Sequence, residues 1–152
     1  MRFIQHIISS VFFTILLLGL FTACKKKEIS LPDPSLEKLF GRWEWVESGG
    51  GLAYHQTSPS TTGCSITIEF ERNGIYKEYK NGKHQNRMKF YLSKGSSIYS
   101  SVESNLIKYN DTGILDKNNT PITESIQFAG QDTLYLNQEC FDCFGHVYVR
   151  KK

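Results

Sequence analysis

From residue 41 onward the apolar positions recur with a period of two, as in strands that bury one face. Trp43 and Trp45 alternate with Arg42, Glu44 and Val46, and Ile66, Ile68 and Phe70 alternate with Ser65, Thr67 and Glu69. Asn73-Gly74 and Asn81-Gly82 are strong hairpin signals, because both central residues of a type I′ turn need positive φ. They bracket a third strand over residues 75–80. In a fourth strand Met88, Phe90 and Leu92 alternate with Arg87, Lys89 and Tyr91, and a turn is expected over 93–97. Residues 98–109 predict one bent strand or two short pieces. Ile122, Ile126 and Phe128 share a face of a sixth strand, Leu134 and Leu136 a face of a seventh, and residues 145–150 form the last. Past Leu36 no segment sustains the 3.6 period; residues 36–40 support one helical turn at most.

A run of about eight antiparallel strands, each with one apolar face, has two economical solutions, a sandwich or an up-and-down barrel. Short connections favour the meander, and closure removes edge strands that would otherwise pair with neighbouring molecules. The expected fold is therefore all-β: an eight-stranded antiparallel up-and-down β-barrel over residues 37–152. A barrel of that size is filled by side chains or admits one small ligand.

The first residues follow a different pattern. Arg2 precedes an apolar stretch over 7–21, broken by Ser9, Ser10 and Thr14, and Phe21-Thr22-Ala23-Cys24 ends it. Residues 1–23 read as a secretory signal. The stretch is too short for a span of about 20 apolar residues, and Lys25, Lys26 and Lys27 follow at once. The small residues before Cys24 resemble the bacterial lipobox, with Phe21 where Leu is more usual. That resemblance implies signal cleavage, acylation of Cys24 by chains such as palmitate, and a membrane partner reached through the lipid anchor. The implied location is the cell envelope, on the outer membrane of a Gram-negative bacterium. Residues 24–36, with three lysines, Pro32 and Pro34, read as an extended tether with almost nothing to bury.

Composition narrows the class. The 152 residues are 39% hydrophobic and 13% aromatic, which excludes a disordered chain. Eighteen Lys and Arg against 15 Asp and Glu is too even a balance for a dedicated nucleic-acid binder.

Leu39-Phe40-Gly41-Arg42-Trp43 resembles the lipocalin signature, Gly-x-Trp after a short helical turn at the start of the first strand. With Tyr148-Val149-Arg150 closing the last strand, the chain is similar to small bacterial lipocalin-like lipoproteins. The resemblance implies that Trp43 closes the bottom of the barrel and Arg150 covers it. An eight-strand meander that starts at the bottom also ends there, which brings the two together. The opposite rim then carries the segment 48–63, about 16 residues long, as the expected lid over a ligand mouth.

His55, Cys64, His84, Cys140, Cys143 and His146 all fall near that rim. Cys64 paired with Cys140 or Cys143 is one reading, suited to an oxidising compartment. A zinc site on Cys140-x-x-Cys143-x-x-His146 is a second, weakened by having only one well-spaced pair of ligands. A redox Cys-x-x-Cys is disfavoured because no helix N-terminus is expected there to lower a thiol pKa. Glu139 and Asp142 show no catalytic pairing, and no nucleophile elbow, zinc-protease helix, phosphate loop or dinucleotide fingerprint is present. No enzyme activity, metal or cofactor is expected. The leading function is a membrane-anchored module that binds a small apolar ligand, lined by Trp45, Ile66, Ile68, Phe70, Met88, Phe90, Ile126, Phe128, Leu134 and Leu136. The alternative is an envelope interaction, structural or inhibitor protein whose barrel is filled by those same side chains.

Overall fold

The computed structural model describes residues 28–110 and 122–152; residues 1–23, expected to be a signal, and Cys24 lie outside the described residues. The strands are β1 (Gly41–Gly50), β2 (His55–Thr57), β3 (Ile66–Glu71), β4 (Ile75–Lys80), β5 (Lys83–Ser97), β6 (Ser100–Asn110), β7 (Thr123–Ala129), β8 (Thr133–Gln138) and β9 (Phe144–Arg150). They form one sheet in which β1 bonds to both β3 and β9, so the sheet closes on itself. Every pairing is antiparallel, and consecutive barrel strands are neighbours. The barrel therefore has eight strands, with β2 as an addition. Glu44 sits opposite Val149, which fulfils the expected meeting of first and last strands.

The segment 48–63 is more ordered than a free lid. β1 continues through Gly50, β2 pairs with its upper end, and a short helix, α1 (Pro59–Thr62), follows. β2 takes up the edge of β1 where β3 stops, so the strand that curves away from one neighbour gains another.

The expected turn over 93–97 is a strand. β5 runs to Ser97 and pairs with β6 as far as Ser97↔Ser100, leaving only Ile98 and Tyr99 as the turn. The Ser- and Gly-rich composition that reads as a turn is accommodated because the end of this hairpin is held by residues at the end of β8. Ser125, whose neighbours Glu124 and Ile126 belong to the interior, faces outward by alternation yet is fully buried. The hairpin tip is tied down there: Ser97 Oγ and the Ile98 N–H donate to Glu139 at 2.7 and 2.8 Å, and the Tyr99 hydroxyl donates to the Gln138 carbonyl at 3.1 Å.

One end of the barrel is sealed. A 3-10 helix (Pro34–Leu39) starts with Pro at its first turn and Asp33 as N-cap, accepting from the Ser35 N–H at 2.8 Å. Leu36 and Leu39 are fully buried, each worth roughly 1.5–3 kcal/mol. The Trp43 indole N–H donates to the Leu39 carbonyl at 2.8 Å. Arg150 lies 4.1 Å over the Trp43 ring, a contact worth about 0.5–2 kcal/mol, and donates to the carbonyls of Phe40, Lys38 and Gln131. The segment expected to be a bare tether takes part in this closure. Ile29 and Leu31 pack against the core, and the Ile29 N–H donates to the Arg72 carbonyl at 2.8 Å. Their apolar surface has somewhere to go because the barrel floor is apolar.

Candidate functional site

The lower half of the interior is solid. Trp43, Ile68, Phe70, Phe90, Ile107 and Leu134 are fully buried, and Met88, Ile126 and Phe128 pack with them. Ring contacts rise through this packing: Phe90 against Phe70 at 5.3 Å, Phe70 against Tyr76 at 5.4 Å, and Tyr76 against Tyr109 at 5.2 Å between centroids. At the tyrosines the interior changes from hydrocarbon to polar groups, and packing gives way to a cavity of about 360 Å3.

The cavity is lined by Trp45, Ser48, Thr57, Ile66, Tyr76, Glu78, Tyr109, Glu124, Leu136, Gln138, Phe144, His146 and Tyr148. Of the side chains expected to line a ligand, Trp45, Ile66 and Leu136 do so. Ile68, Phe70, Met88, Phe90, Ile126, Phe128 and Leu134 instead belong to the packed core below, because these bulky residues fill the narrow floor.

A bulge decides which residues of β1 reach the cavity. Trp45 pairs with Tyr148 and Glu47 with Val147, so Val46 is an extra residue and the inward phase changes there. Strict alternation after Trp43 and Trp45 would turn Glu47 inward; the bulge turns Ser48 inward instead. Ser48 then accepts from the Trp45 indole N–H at 2.8 Å, and its hydroxyl is 2.6 Å from His146 Nδ1. Glu47 stays outside and accepts from Gln56 at 2.8 Å.

Glu124, the second residue of β7, is 6% exposed. Its Oε2 accepts from the Tyr109 hydroxyl at 2.9 Å, while Oε1 lies 4.0 Å from His146 Nε2, beyond hydrogen-bonding distance. Burial pushes this carboxyl up to about 7, against the lowering pull of the Tyr109 hydrogen bond. Burial also lowers the His146 pKa, so the pair is driven toward its neutral forms. The Tyr76, Tyr109 and Tyr148 hydroxyls are raised, first by burial and then by neighbouring carboxylates and tyrosines. Tyr76 donates to Glu78 Oε2 at 3.2 Å.

Ser48, His146 and Glu124 are the residue types of an acyl-transfer triad. With the Ser48 hydroxyl donated to Nδ1, the imidazole Nε2 carries its proton toward Glu124. The carboxylate stands too far away to orient the ring, and Ser48 is 7% exposed with its oxygen already accepting from Trp45. The row can hold or relay a proton and can present donors and acceptors to a bound molecule.

At the same end of the barrel, Gly50 packs closely on Cys143, and Phe144 approaches Gly51. The two loops that meet there expose Leu52, Tyr54 and Phe141. The expected disulfide from Cys64 is corrected: Cys140 is bonded to Cys143 with Cα atoms 5.5 Å apart, and Cys64 is free. Asp142 adopts φ 58°, folding the loop back so that its two cysteines meet. Cys64 precedes β3, and β1 stands between β3 and β9; two strand spacings, roughly 9–10 Å, exceed the reach of a disulfide. The zinc reading loses both thiols to that bond and His146 to Ser48, and among the described residues no three His, Cys, Asp or Glu side chains gather as a metal site. His55 lies on β2, and His84 packs against Tyr79 with ring centroids 5.6 Å apart.

No family model, curated protein or solved structure matches this chain.

Proposed function

We propose that this is a lipid-anchored protein of a bacterial envelope, held through Cys24, whose lipocalin-like barrel binds a small molecule in the cavity at its open end. The cavity carries the reading: about 360 Å3 within a closed barrel is the size of a small-ligand site, and it has apolar walls with a few convergent polar groups. The apolar ligand expected from the sequence becomes an amphipathic one, because Glu124, Tyr109, His146 and Ser48 need a polar counterpart. A side-chain-filled barrel describes only the lower half. Binding rather than catalysis is favoured by the enclosed Ser48 and by the gap between His146 and Glu124.

Native mass spectrometry of the full chain incubated with an envelope extract tests this reading. The expected result is a small-molecule adduct that Thr57→Trp, which places an indole in the cavity wall, diminishes. Equal adducts on both proteins, or none on either, would count against the cavity as the binding site.

A further inference from the structure

We infer that the cavity takes an organic cation: a small amine whose apolar body lies against the aromatic walls and whose ammonium head meets Glu124. This deepens the ligand-binding reading above and rests on it. Among the described lining residues there are two carboxylates, Glu78 and Glu124, and no Lys or Arg. That is a local choice, since the whole chain carries a formal charge of +3.

Glu124 is incompletely satisfied. Tyr109 occupies Oε2, and among the described residues Oε1 has only His146 Nε2, 4.0 Å away. A carboxylate enclosed among apolar groups is costly unless a partner meets its lone pairs, and an ammonium N–H is that partner. An anion would be repelled by both carboxylates, and a wholly apolar molecule would leave Oε1 as it is. Trp45, Tyr76, Tyr109 and Tyr148 supply rings around the same space, and aromatic faces attract cations.

Protonation sets the affinity. The titratable groups facing Glu124 are Tyr109 from β6, Tyr76 and Glu78 from β4, and His146 and Tyr148 from β9; β1, β3 and β8 contribute uncharged side chains to the cavity. An ammonium binds the carboxylate and not the acid. With Glu124 titrating at about 7, lowering the pH from 7 to 5 weakens binding by about 50-fold. Any protonation of His146 on the same descent repels the cation and works in the same direction.

Calorimetric titration of the full chain in phosphatidylcholine nanodiscs, with empty discs as blank, tests this with three probes sharing an indole body: tryptamine, uncharged 3-ethylindole and anionic indole-3-propionate. At pH 7.5 tryptamine is expected to bind at least about tenfold more tightly than the other two. Glu124→Gln, which keeps an acceptor for Tyr109, should erase that preference and most of the pH dependence. Glu78→Gln, together with the pH series on the unaltered chain, carries the test if Glu124→Gln does not fold. Binding of 3-ethylindole or indole-3-propionate as tight as that of tryptamine overturns the amine and keeps the ligand site, as does an envelope-lipid adduct without amine binding. No binding of any probe or lipid overturns both.

Discussion

Glu124 is the residue on which most of the interior chemistry turns, and its burial has a thermodynamic consequence of definite sign. Its carboxyl titrates at about 7 in the folded barrel against 4.5 for an ordinary glutamate. Between those values the folded state holds a proton that the unfolded chain has lost. Stability from this group is therefore fully present below pH 4.5 and declines as pH rises through 7, by about 3 kcal/mol in all. His146 contributes the opposite sign: its lowered pKa favours folding above pH 6.5 and costs stability as pH falls through its folded value. Glu124→Gln removes the first contribution and keeps an acceptor for Tyr109. The variant should be more stable than the parent by up to about 3 kcal/mol at pH 8, and by no more than about 1 kcal/mol at pH 5, in urea unfolding at each pH. A difference of the same size at both pH values would show that the carboxyl is not desolvated. The sequence carried a signal for this residue. Ile122, Ile126 and Phe128 mark the inward face of their strand, and Glu124 sits in phase with them, a carboxylate where hydrocarbon belongs.

At the scale of elements, alternation and Asn-Gly turns made the meander legible, because a half-buried strand writes its two faces directly into neighbouring residues. What they could not carry was anything set by contacts distant in sequence. The bulge at Val46 adds one residue against β9, and nothing local distinguishes Val46 from an ordinary outward residue. The length of β5 depends on Gln138 and Glu139, at the end of β8, to hold its hairpin, so its Ser-rich end reads as a turn when seen alone. The close pairing of β1 with β9 at the mouth is a third case. A Cβ on Gly50 would stand 2.1 Å from the Cys143 carbonyl oxygen, a backbone atom held in a disulfide loop. Gly63, the αL cap of α1, has open space around it at φ +65°. Gly50→Ala is expected to cost about 1–3 kcal/mol by forcing the strands apart. Gly63→Ala should cost only about 1 kcal/mol, from its backbone conformation alone. Urea unfolding of both variants measures the difference, and equal losses would remove the close approach to Cys143 as the reason for glycine at 50.

In the whole molecule the two ends differ in structure, one sealed and the other holding the cavity. The described chain begins at Glu28 beside the sealed end, where Ile29 is hydrogen-bonded to Arg72, while the cavity opens at the other end. From Cys24 to Ile29 an extended chain spans at most roughly 17 Å. The proposed anchor on Cys24 would therefore set the sealed floor against the bilayer and turn the mouth toward water. Under that proposal a ligand would arrive from the aqueous phase, which suits a soluble amine better than a lipid passed from the membrane. The site was less legible than the fold for the same geometric reason. Trp45, Ile66 and Leu136 are recognisable as inward, but how high the packing of Phe70, Phe90 and Leu134 reaches, and so where the cavity begins, is decided by side-chain volumes meeting across the barrel. The orientation depends on acylation at Cys24, with each buried methylene adding about 0.8 kcal/mol of membrane affinity. Cells fed an alkyne-bearing palmitate analogue should incorporate label into the parent chain and not into Cys24→Ala. The parent should sediment with membranes after a high-salt wash that would strip a protein held by Lys25, Lys26 and Lys27 alone. Equal label in both chains would place the lipid elsewhere or nowhere, and the floor-down arrangement would lose its cause, while the barrel and its cavity would stand unchanged.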